Sequence, residues 1–401
     1  MGMKAGQTLP ADAAKCILAV MKLGSRRVFL GATAVVWLVA VTLAGGQAPA
    51  APKPPMAEEV FKNIRVLRGI PVDEFMGTMG VFSAALGMSC EDCHSASDTT
   101  WDNYALDTSP RKVMARRMVQ MMSSINQASF GGRQVVTCYT CHRGSNRPKV
   151  TPSLAALYGA TTLDEPDDIV RPAAPGGPTA EQILDKYIQA LGGAQRLTGL
   201  TSYVAKGTSA GYGPEGTRPI EIFARAPGLR TTIIHTLDGD NTTAYDGRAG
   251  WISAPHKPVA VLPLTGSELD SIRLDAELSF PGRIKETLRD WRVGLSTEID
   301  DRTVQVVQGT GAGGALGTFY FDAESGLLVR LVRYATSRVG RLPTQIDYAD
   351  YREVSGIKVP FRFKVTWLDG LENVELTQVQ LNVPVDAAKF GKPGPPVPPA
   401  R

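Results

Sequence analysis

Apolar positions recur at helical spacing through the first third of the chain. The pattern predicts a helix over residues 57–67, a second that begins at Pro71 and ends before Gly87, and a third over 109–126. Proline at a helix start and glycine just past its end are the expected terminators of such segments. Residues 56–150 are therefore predicted to form a mainly α domain.

From residue 179 onward the pattern changes to the alternation that is typical of strands. One helix is predicted over Ala180–Leu191, and residues 267–291 are expected to add one or two more. The alternating runs cover residues 203–208, 220–224, 230–236, 303–307, 318–321, 327–333, 344–351, 359–367 and 375–383. Short connections between them favour a curled antiparallel sheet, or half-barrel. The predicted fold class is α+β with two domains.

Changes in composition predict where the segments of the chain begin and end. Residues 1–50 are interpreted as a signal peptide or membrane anchor, and residues 56–150 as the helical domain. An acidic, Pro/Gly-rich linker is predicted at 151–178, the β domain at 179–392, and a Pro-rich tail at 393–401.

The N-terminal segment has the layout of an export signal. Basic residues precede an apolar run at 28–44, and small residues at 48–50 offer a cleavage site. The run lies between a secretory signal and the shortest membrane span in length, so an uncleaved anchor is the alternative. The chain is therefore expected in the periplasm or at the periplasmic face of the inner membrane. Cleavage would remove Cys16.

Charge and composition narrow the possible partners. The 401 residues are 43% hydrophobic and 20% charged, which is ordinary for a globular protein. A formal net charge of +4, without a basic stripe interleaved with aromatic residues, does not indicate nucleic-acid binding.

All four cysteines that follow the N-terminal segment lie in two C-x-x-C-H motifs. Two thiols at this spacing bond the two vinyl groups of a haem, and the histidine that follows ligates its iron. The motifs comprise Cys90, Cys93 and His94, and Cys138, Cys141 and His142. A four-cysteine zinc site and a dithiol redox motif are the alternatives. However, a gap of 44 residues between the pairs is long for a zinc ribbon, and zinc gives the histidines no role. Two covalently bound c-type haems are predicted.

Methionines on apolar helix stripes are candidates for the sixth iron ligand. Met79 lies eleven residues before Cys90, with Met76 one turn earlier as a competitor. Met118 lies on a second stripe, which continues to Ile125. A methionine ligand would close the site and suit electron transfer, whereas an open site binds small molecules. The alternative is that these methionines are ordinary core residues.

The stretches GVFSAALGMSCEDCHS and KVMARRMVQMMSSINQ…VVTCYTCHRG resemble the cytochrome c subunit of photosynthetic reaction centres, over about residues 57–150. The resemblance implies a non-enzymatic carrier of single electrons. It also implies axial methionines from the preceding helices, at positions that fall on Met79 and Met118. The chain has one pair of haem motifs where the family has two, and residues 126–136 lack a histidine that the family uses for another haem.

The resemblance implies redox partner proteins: a reaction centre or respiratory complex, and small periplasmic carriers. Residues 179–390 match nothing in that subunit and resemble, in pattern only, periplasmic lipoprotein-carrier folds. Two alternative functions stay open. One is a dihaem redox enzyme of the peroxidase type, which needs one iron without a methionine. The other is an apolar-ligand-binding or docking protein whose haems act as sensor or relay. The sequence predicts no catalytic residue.

Charge is distributed unevenly between the two motifs. Residues 58–107 contain nine acidic and three basic side chains, and residues 111–149 contain eight basic ones and no acidic one. A positive local field favours the ferrous state. If sequence neighbours are also neighbours in space, the second haem should have the higher reduction potential.

Overall fold

The structure, a computed structural model, describes most of the chain after the N-terminal segment. It covers residues 53–397 except 95–102, 149, 152–169, 174, 212–215, 256 and 312–313. The predicted signal or anchor segment and most of the predicted linker lie outside the described residues. Among the described residues, no helix is both long and apolar enough to cross a bilayer.

The N-terminal part of the described chain is built from helices. Two long helices are joined by irregular segments, and each is followed by one of the C-x-x-C-H motifs. The helices are α1 (Ala57–Val60), α2 (Val72–Leu86), α3 (Pro110–Phe130) and α4 (Cys138–His142), with 3₁₀ turns at Cys90–Asp92 and Asn103–Ala105.

Helix α2 begins and ends where the sequence predicts, and α3 begins there but ends later. Pro71 caps α2 in an extended conformation, and Gly87 ends it with φ 62°. Helix α3 has proline at its first position and ends at Gly131 with φ 61°. Only glycine adopts this left-handed conformation without a Cβ penalty, which is why both helices stop there. Helix α3 extends one turn beyond the predicted end at 126.

The predicted helix over residues 57–67 is wrong beyond Val60. The chain turns extended at Phe61, and Asn63 adopts the left-handed conformation with φ 61°. The Asn63 side chain donates a hydrogen bond to the carbonyl oxygen of Ala105 at 2.7 Å. This tertiary bond holds the non-helical segment against residues that follow the first haem motif, and Leu67 and residue 70 are buried in the core of the helical segment.

Among its described residues, the C-terminal part contains four α-helices and fourteen strands. The helices are α5 (Ala180–Leu191), α6 (Ala194–Thr198), α7 (Gly266–Leu278) and α8 (Ile284–Thr287). The strands are β1 (Ser202–Gly211), β2 (Thr217–Arg225), β3 (Leu229–Thr236), β4 (Gly239–Tyr245), β5 (Gly250–Ser253), β6 (Val261–Pro263), β7 (Arg289–Val293), β8 (Thr297–Ile299), β9 (Arg302–Thr310), β10 (Leu316–Asp322), β11 (Leu328–Ser337), β12 (Gly340–Val354), β13 (Ile357–Trp367) and β14 (Gly370–Leu381).

All fourteen strands join one open, curled antiparallel sheet. Its order is β6-β5-β4-β3-β2-β1-β14-β13-β12-β11-β10-β9-β7, and β8 pairs with β9. The sheet and α5 share one hydrophobic core, in which Leu184, Phe319, Phe321 and Leu331 are almost fully buried. The fold is therefore α+β with a curled antiparallel sheet in its C-terminal part, and this element of the prediction is confirmed.

Helix α2 contacts the C-terminal part of the chain through a buried carboxylate, which bonds to Thr265 at the start of α7. Asp73 is 6% exposed and accepts hydrogen bonds from the backbone N–H of Thr265 at 2.6 Å and from its hydroxyl at 2.8 Å. Burial raises the pKa of Asp73 above its ordinary value of 3.8, and the two bonds from Thr265 oppose that rise. The contact thus joins the two parts of the chain at the cost of burying a charge.

Replacing Asp73 with alanine should lower the free energy of unfolding by about 1–3 kcal/mol, because both Thr265 donors lose their acceptor. Asp73→Asn keeps one acceptor and should cost less. A raised folded-state pKa means that the Asp73 contribution is full below the unfolded value and is lost as pH rises through the folded value. Relative to wild type, Asp73→Asn should therefore gain stability as pH rises above about 4. Denaturant unfolding across that range measures both effects.

Candidate haem-binding sites

A cavity of about 380 Å³ lies between α2, α3 and residues 60–67. Its volume falls in the range of about 300–1,000 Å³ that is typical of sites for small molecules and cofactors. Its lining is mostly apolar. It includes four of the residues predicted for the first haem: Met79, Cys90, Cys93 and His94. The structure therefore gathers the complete predicted ligand and attachment set of the first motif around one cavity.

His94 is held in the tautomer that a metal ligand requires. Its Nδ1 lies 3.2 Å from the carbonyl oxygen of Tyr104, which can only accept a hydrogen bond. Nδ1 therefore carries the proton and Nε2 keeps its lone pair. The Tyr104 ring stacks on the imidazole at 4.5 Å between centroids. Burial, and then the Lys112 charge, lower the pKa of His94, which favours the neutral ligand form.

The lining of the cavity does not show which methionine would ligate the iron of the first haem. Met76, Met79 and Met88 all line it. Met79 also packs against the buried cluster that contains Val81 and Val119. The assignment of Met79 as axial ligand stays a prediction, with Met76 as its competitor.

The thiols of the first motif face the same cavity. Cys90 is exposed, Cys93 is half-buried, and neither is in a disulfide. Burial raises the pKa of the Cys93 thiol. Two free thiols beside an apolar cavity and a histidine with a free Nε2 fit a covalently attached haem. Among the residues that the structure describes, no three His, Cys, Asp or Glu side chains converge on one point suited to a metal ion, and the cysteines form two separate pairs.

Two cations from α3 also line the first cavity. Lys112 and Arg116 have side chains that are 13% and 18% exposed. Lys112 Nζ donates to the carbonyl oxygens of Tyr104 at 2.7 Å and Leu106 at 2.6 Å, while Arg116 Nη1 lies 2.7 Å from Asp107 Oδ1. Lys112 and Arg116 would neutralise the propionate carboxylates of a haem bound in this cavity. Neutralising haem propionates is one of the roles that the sequence allows for the basic residues of α3, but the sequence alone does not show which haem they serve.

The position of these two cations bears on the expected order of the two haem reduction potentials. The expected order requires the basic residues of 111–149 to lie around the second haem, but Lys112 and Arg116 line the first cavity. Arg117, the next residue, is exposed and is not part of that lining. Position in the sequence therefore does not determine which haem each cation acts on.

Arg116→Gln should lower the reduction potential of the first haem by roughly 40 mV, which corresponds to about 1 kcal/mol for one electron. A nearby half-buried cation stabilises the ferrous state, and its removal favours the ferric one. The matched control is Arg117→Gln, which should leave that potential nearly unchanged. A spectroelectrochemical titration measures both variants. Equal shifts in the two would contradict the placement of Arg116.

The second motif repeats the local geometry of the first. Thr137 caps α4 by accepting a hydrogen bond from the backbone N–H of Thr140 at 3.3 Å. His142 Nδ1 lies 2.9 Å from the carbonyl oxygen of Ser145, so its Nε2 is also left free for a metal. Cys141 is exposed, whereas burial raises the pKa of Cys138 to about 11.

The apolar stripe predicted for the second haem lies on the surface of α3. Met118 is partly buried, and its neighbours Met114, Met121 and Ile125 are 50%, 47% and 37% exposed. Large apolar side chains clustered on one exposed helix face indicate a surface that another group covers. Helices α3 and α4 are in contact, so a haem attached to α4 would lie beside α3. Met118 as its axial ligand stays a prediction.

A backbone contact brings the two motifs together. The N–H of Gly144 donates to the carbonyl oxygen of Ala85 at 2.9 Å, joining the residues after α4 to the end of α2. A Cβ on Gly87 would lie 2.3 Å from the oxygen of Gly144, so only glycine permits this approach. The arrangement holds both motifs at the same end of α2.

Two contributors to the first cavity were not predicted. Residues 61–67 line it because they are not helical, and Pro258 reaches it from the β domain. The helical-domain prediction for 56–150 contained no signal for Pro258, which is distant in sequence and has no ligand chemistry.

Comparison with known proteins supports the resemblance seen in the sequence. Residues 34–156 match the family model described as "Photosynthetic reaction centre cytochrome C subunit", and residues 296–377 match a family of unknown function, DUF6544. The first resemblance is thereby confirmed.

Curated relatives match over the same part of the chain. The photosynthetic reaction center cytochrome c subunit of Rubrivivax gelatinosus is 36% identical over 99 residues, which cover 24% of this chain and 25% of the relative. That of Roseobacter denitrificans is 31% identical over 116 residues, covering 26% and 31% respectively. The chain thus spans about a quarter to a third of the length of these relatives.

Solved structures match the other part of the molecule only loosely. A DUF1329 family protein from Desulfovibrio piger has a TM-score of 0.38 at 10% identity, covering 54% of this chain and 98% of its own. A LolA superfamily protein from Nitrosomonas europaea has a TM-score of 0.38 at 14% identity, covering 54% and 99%. At these TM-scores neither likeness supports a conclusion about ligand or activity.

Proposed function

We propose that this chain is an exported c-type cytochrome that binds two haems covalently and carries single electrons. The observation that carries the proposal is the first cavity, around which Cys90, Cys93, His94 and a methionine of α2 meet. The match of residues 34–156 to a cytochrome family supports it. The domain boundaries 56–150, 151–178 and 179–392 belong to the same proposal.

Each haem would be held by four residues of this chain. The first set is Cys90, Cys93, His94 and Met79, and the second is Cys138, Cys141, His142 and Met118. A bound haem supplies an iron that cycles between the ferric and ferrous states. The cysteines would anchor the ring, the histidine Nε2 and the methionine sulfur would ligate the iron, and the apolar lining would exclude water. A site closed in this way transfers electrons without binding substrate at iron, which is why no enzymatic activity is proposed.

The proposed partners are redox proteins at the periplasmic face of the membrane. The relatives named above are subunits of photosynthetic reaction centres, so a reaction centre is one proposed electron acceptor. A respiratory complex is the other, with small periplasmic carriers as donors. Export by the N-terminal segment, either cleaved or kept as an anchor, would place the protein there.

Haem stoichiometry is the direct test of this proposal. Purified protein should retain its haem after extraction with acidified acetone and should give two haems per chain in a pyridine haemochrome assay, because each motif offers two thiols. A variant with both cysteines of the second motif changed to alanine should give one. Haem that passes into the acetone would exclude covalent attachment.

A cavity in the β domain favours a second candidate function, the binding of an apolar ligand. The cavity has a volume of about 140 Å³ and lies between the sheet and α5 and α7. Its lining is mostly apolar, with four tyrosines: Tyr187, Tyr203, Tyr348 and Tyr351. In this alternative the haems act as sensor or relay. Mass spectrometry of organic extracts of the purified protein tests this alternative. A stoichiometric apolar molecule would support ligand binding, and its absence would count against it.

A further inference from the structure

Residues of the β domain are in direct contact with the second haem motif. The contact is made by residues 337–340, the turn that joins β11 to β12. The Gln134 side chain donates a hydrogen bond to the carbonyl oxygen of Ser337 at 2.9 Å. The backbone N–H of Cys138 donates to the carbonyl oxygen of Val339 at 3.3 Å. The first residue of α4, which is also a haem-attaching cysteine, is therefore bonded to the sheet.

The other two residues of the turn contact the helical segment as well. Burial raises the pKa of the Glu74 carboxyl on α2, and the charge and backbone N–H of the neighbouring Arg338 oppose that rise. A Cβ on Gly340 would lie 3.1 Å from Val81 and 3.7 Å from Thr137, so the turn backbone fits closely between the two motifs. All four consecutive residues of the turn thus touch the part of the chain that carries the haem motifs.

Internal hydrogen bonds and packing hold the 337–340 turn in one conformation. The Ser337 hydroxyl is buried, donates to the carbonyl oxygen of Gly340 at 2.9 Å and accepts from the backbone N–H of Val339 at 3.3 Å. Val339 is 0% exposed and belongs to the core cluster against which Val136 and Cys138 pack. Side chains that are locked by packing and by a supporting hydrogen bond hold a site more precisely than a free loop does.

The geometry points to a role for the 337–340 turn as a positioning element of the second haem site. It fixes Cys138, and through that cysteine the orientation and water exposure of the second haem. Burial and hydrogen bonding around a haem set its reduction potential. The C-terminal part of the chain is therefore part of the second haem site. A change in the turn should act more strongly on the second haem than on the first, because the turn bonds directly to Cys138, whereas it reaches Met79 only through the core cluster that they share. This inference rests on the proposed function.

The test compares Val339→Ala with Val332→Ala in the full-length holoprotein. Both substitutions remove the same atoms from buried positions of the same hairpin, since Val332 lies on β11 and is 4% exposed. Val332 belongs to a separate core cluster that contains none of the helical segment, so it controls for lost stability. Val339→Ile, which keeps the apolar β-branched side chain and adds one methylene, serves as the conservative variant. Potentiometric titrations of all variants are compared with wild type, together with hydrogen exchange at residues 134–141.

A reference variant that lacks both thiols of the first motif identifies the redox wave of the second haem. Val339→Ala should shift that wave, changing its reduced-to-oxidised ratio severalfold at a fixed ambient potential, and should speed exchange at 134–141. The first wave should move less than the second, Val332→Ala should move neither, and Val339→Ile should stay close to wild type. Equal shifts of both waves, or no shift in Val339→Ala, would overturn the inference. Absence of covalent haem from wild type would instead refute the proposed function.

Discussion

Met79→Ala should open the first haem to carbon monoxide while the second stays closed. Removing the thioether leaves the iron with His94 alone, and a five-coordinate ferrous haem binds small molecules. Loss of a methionine ligand should also lower the potential of that haem by on the order of 100 mV, within the ~0.8 V range that axial ligands span. Absorption difference spectra with carbon monoxide, and a redox titration of the same sample, measure both effects.

The paired variants make this experiment specific. Met118→Ala should open only the second haem, and Met76→Ala should open neither, although Met76 lines the first cavity beside Met79. If Met76→Ala opens the first haem and Met79→Ala does not, the ligand lies one helical turn earlier than proposed. If no methionine variant changes carbon monoxide binding, methionine ligation is refuted altogether.

Residues 179–401 expressed alone should fold into a soluble, β-rich domain that unfolds cooperatively without haem. The reason is that the large core around Phe319, Phe321 and Leu331 consists of residues 183–376 and includes none from the helical segment. The fragment would expose Val339 and Leu342, which pack on the helical segment in the whole chain. Circular dichroism with thermal and denaturant unfolding measures the outcome.

A variant of the same fragment distinguishes a failure to fold from self-association of a folded domain. Val339→Ser in the isolated fragment should reduce its self-association without lowering its thermal midpoint, since that side chain has lost its partners there. An unfolded fragment, with or without this change, would show that the sheet needs the helical segment to fold. The predicted boundary at 179 would then be wrong as a boundary of folding units.

Local signals account for the elements that were predicted correctly. Pro71, Pro110, Gly87 and Gly131 act on the backbone within one turn, so their effect on α2 and α3 is visible in the sequence. The nine alternating runs all correspond to strands of the sheet, because alternation reports burial of one face. The one or two helices predicted within 267–291 correspond to α7 and α8, whereas residues 289–291 belong to strand β7.

Strands without a clear alternation were missed. Strands β4 and β5 begin with glycine, and β4 has the sequence GDNTTAY, in which the apolar residues come last. Strands β6 and β8 have three residues each, too few for a periodic pattern. They form because a neighbouring strand supplies partners for their backbone groups, a cause that lies outside the segment itself.

The site was predictable where its chemistry is local and unpredictable where it depends on packing. The attachment residues Cys90 and Cys138 follow from the spacing of each motif. The reach of Arg116 into the first cavity depends on how α3 crosses α2, and the contact between Cys138 and Val339 joins residues two hundred positions apart. Hydrophobic periodicity carries no information on which elements of different domains meet.

An absorption spectrum recorded during a potentiometric titration of the full-length protein tests the central claim, that this chain carries electrons on two closed haems. We expect two one-electron waves and low-spin spectra in both oxidation states. The ferric protein should show the weak sulfur-to-iron charge-transfer band, and the ferrous protein should not react with carbon monoxide. A high-spin component that binds carbon monoxide in the unmodified protein would contradict it, and would favour a dihaem enzyme or sensor instead.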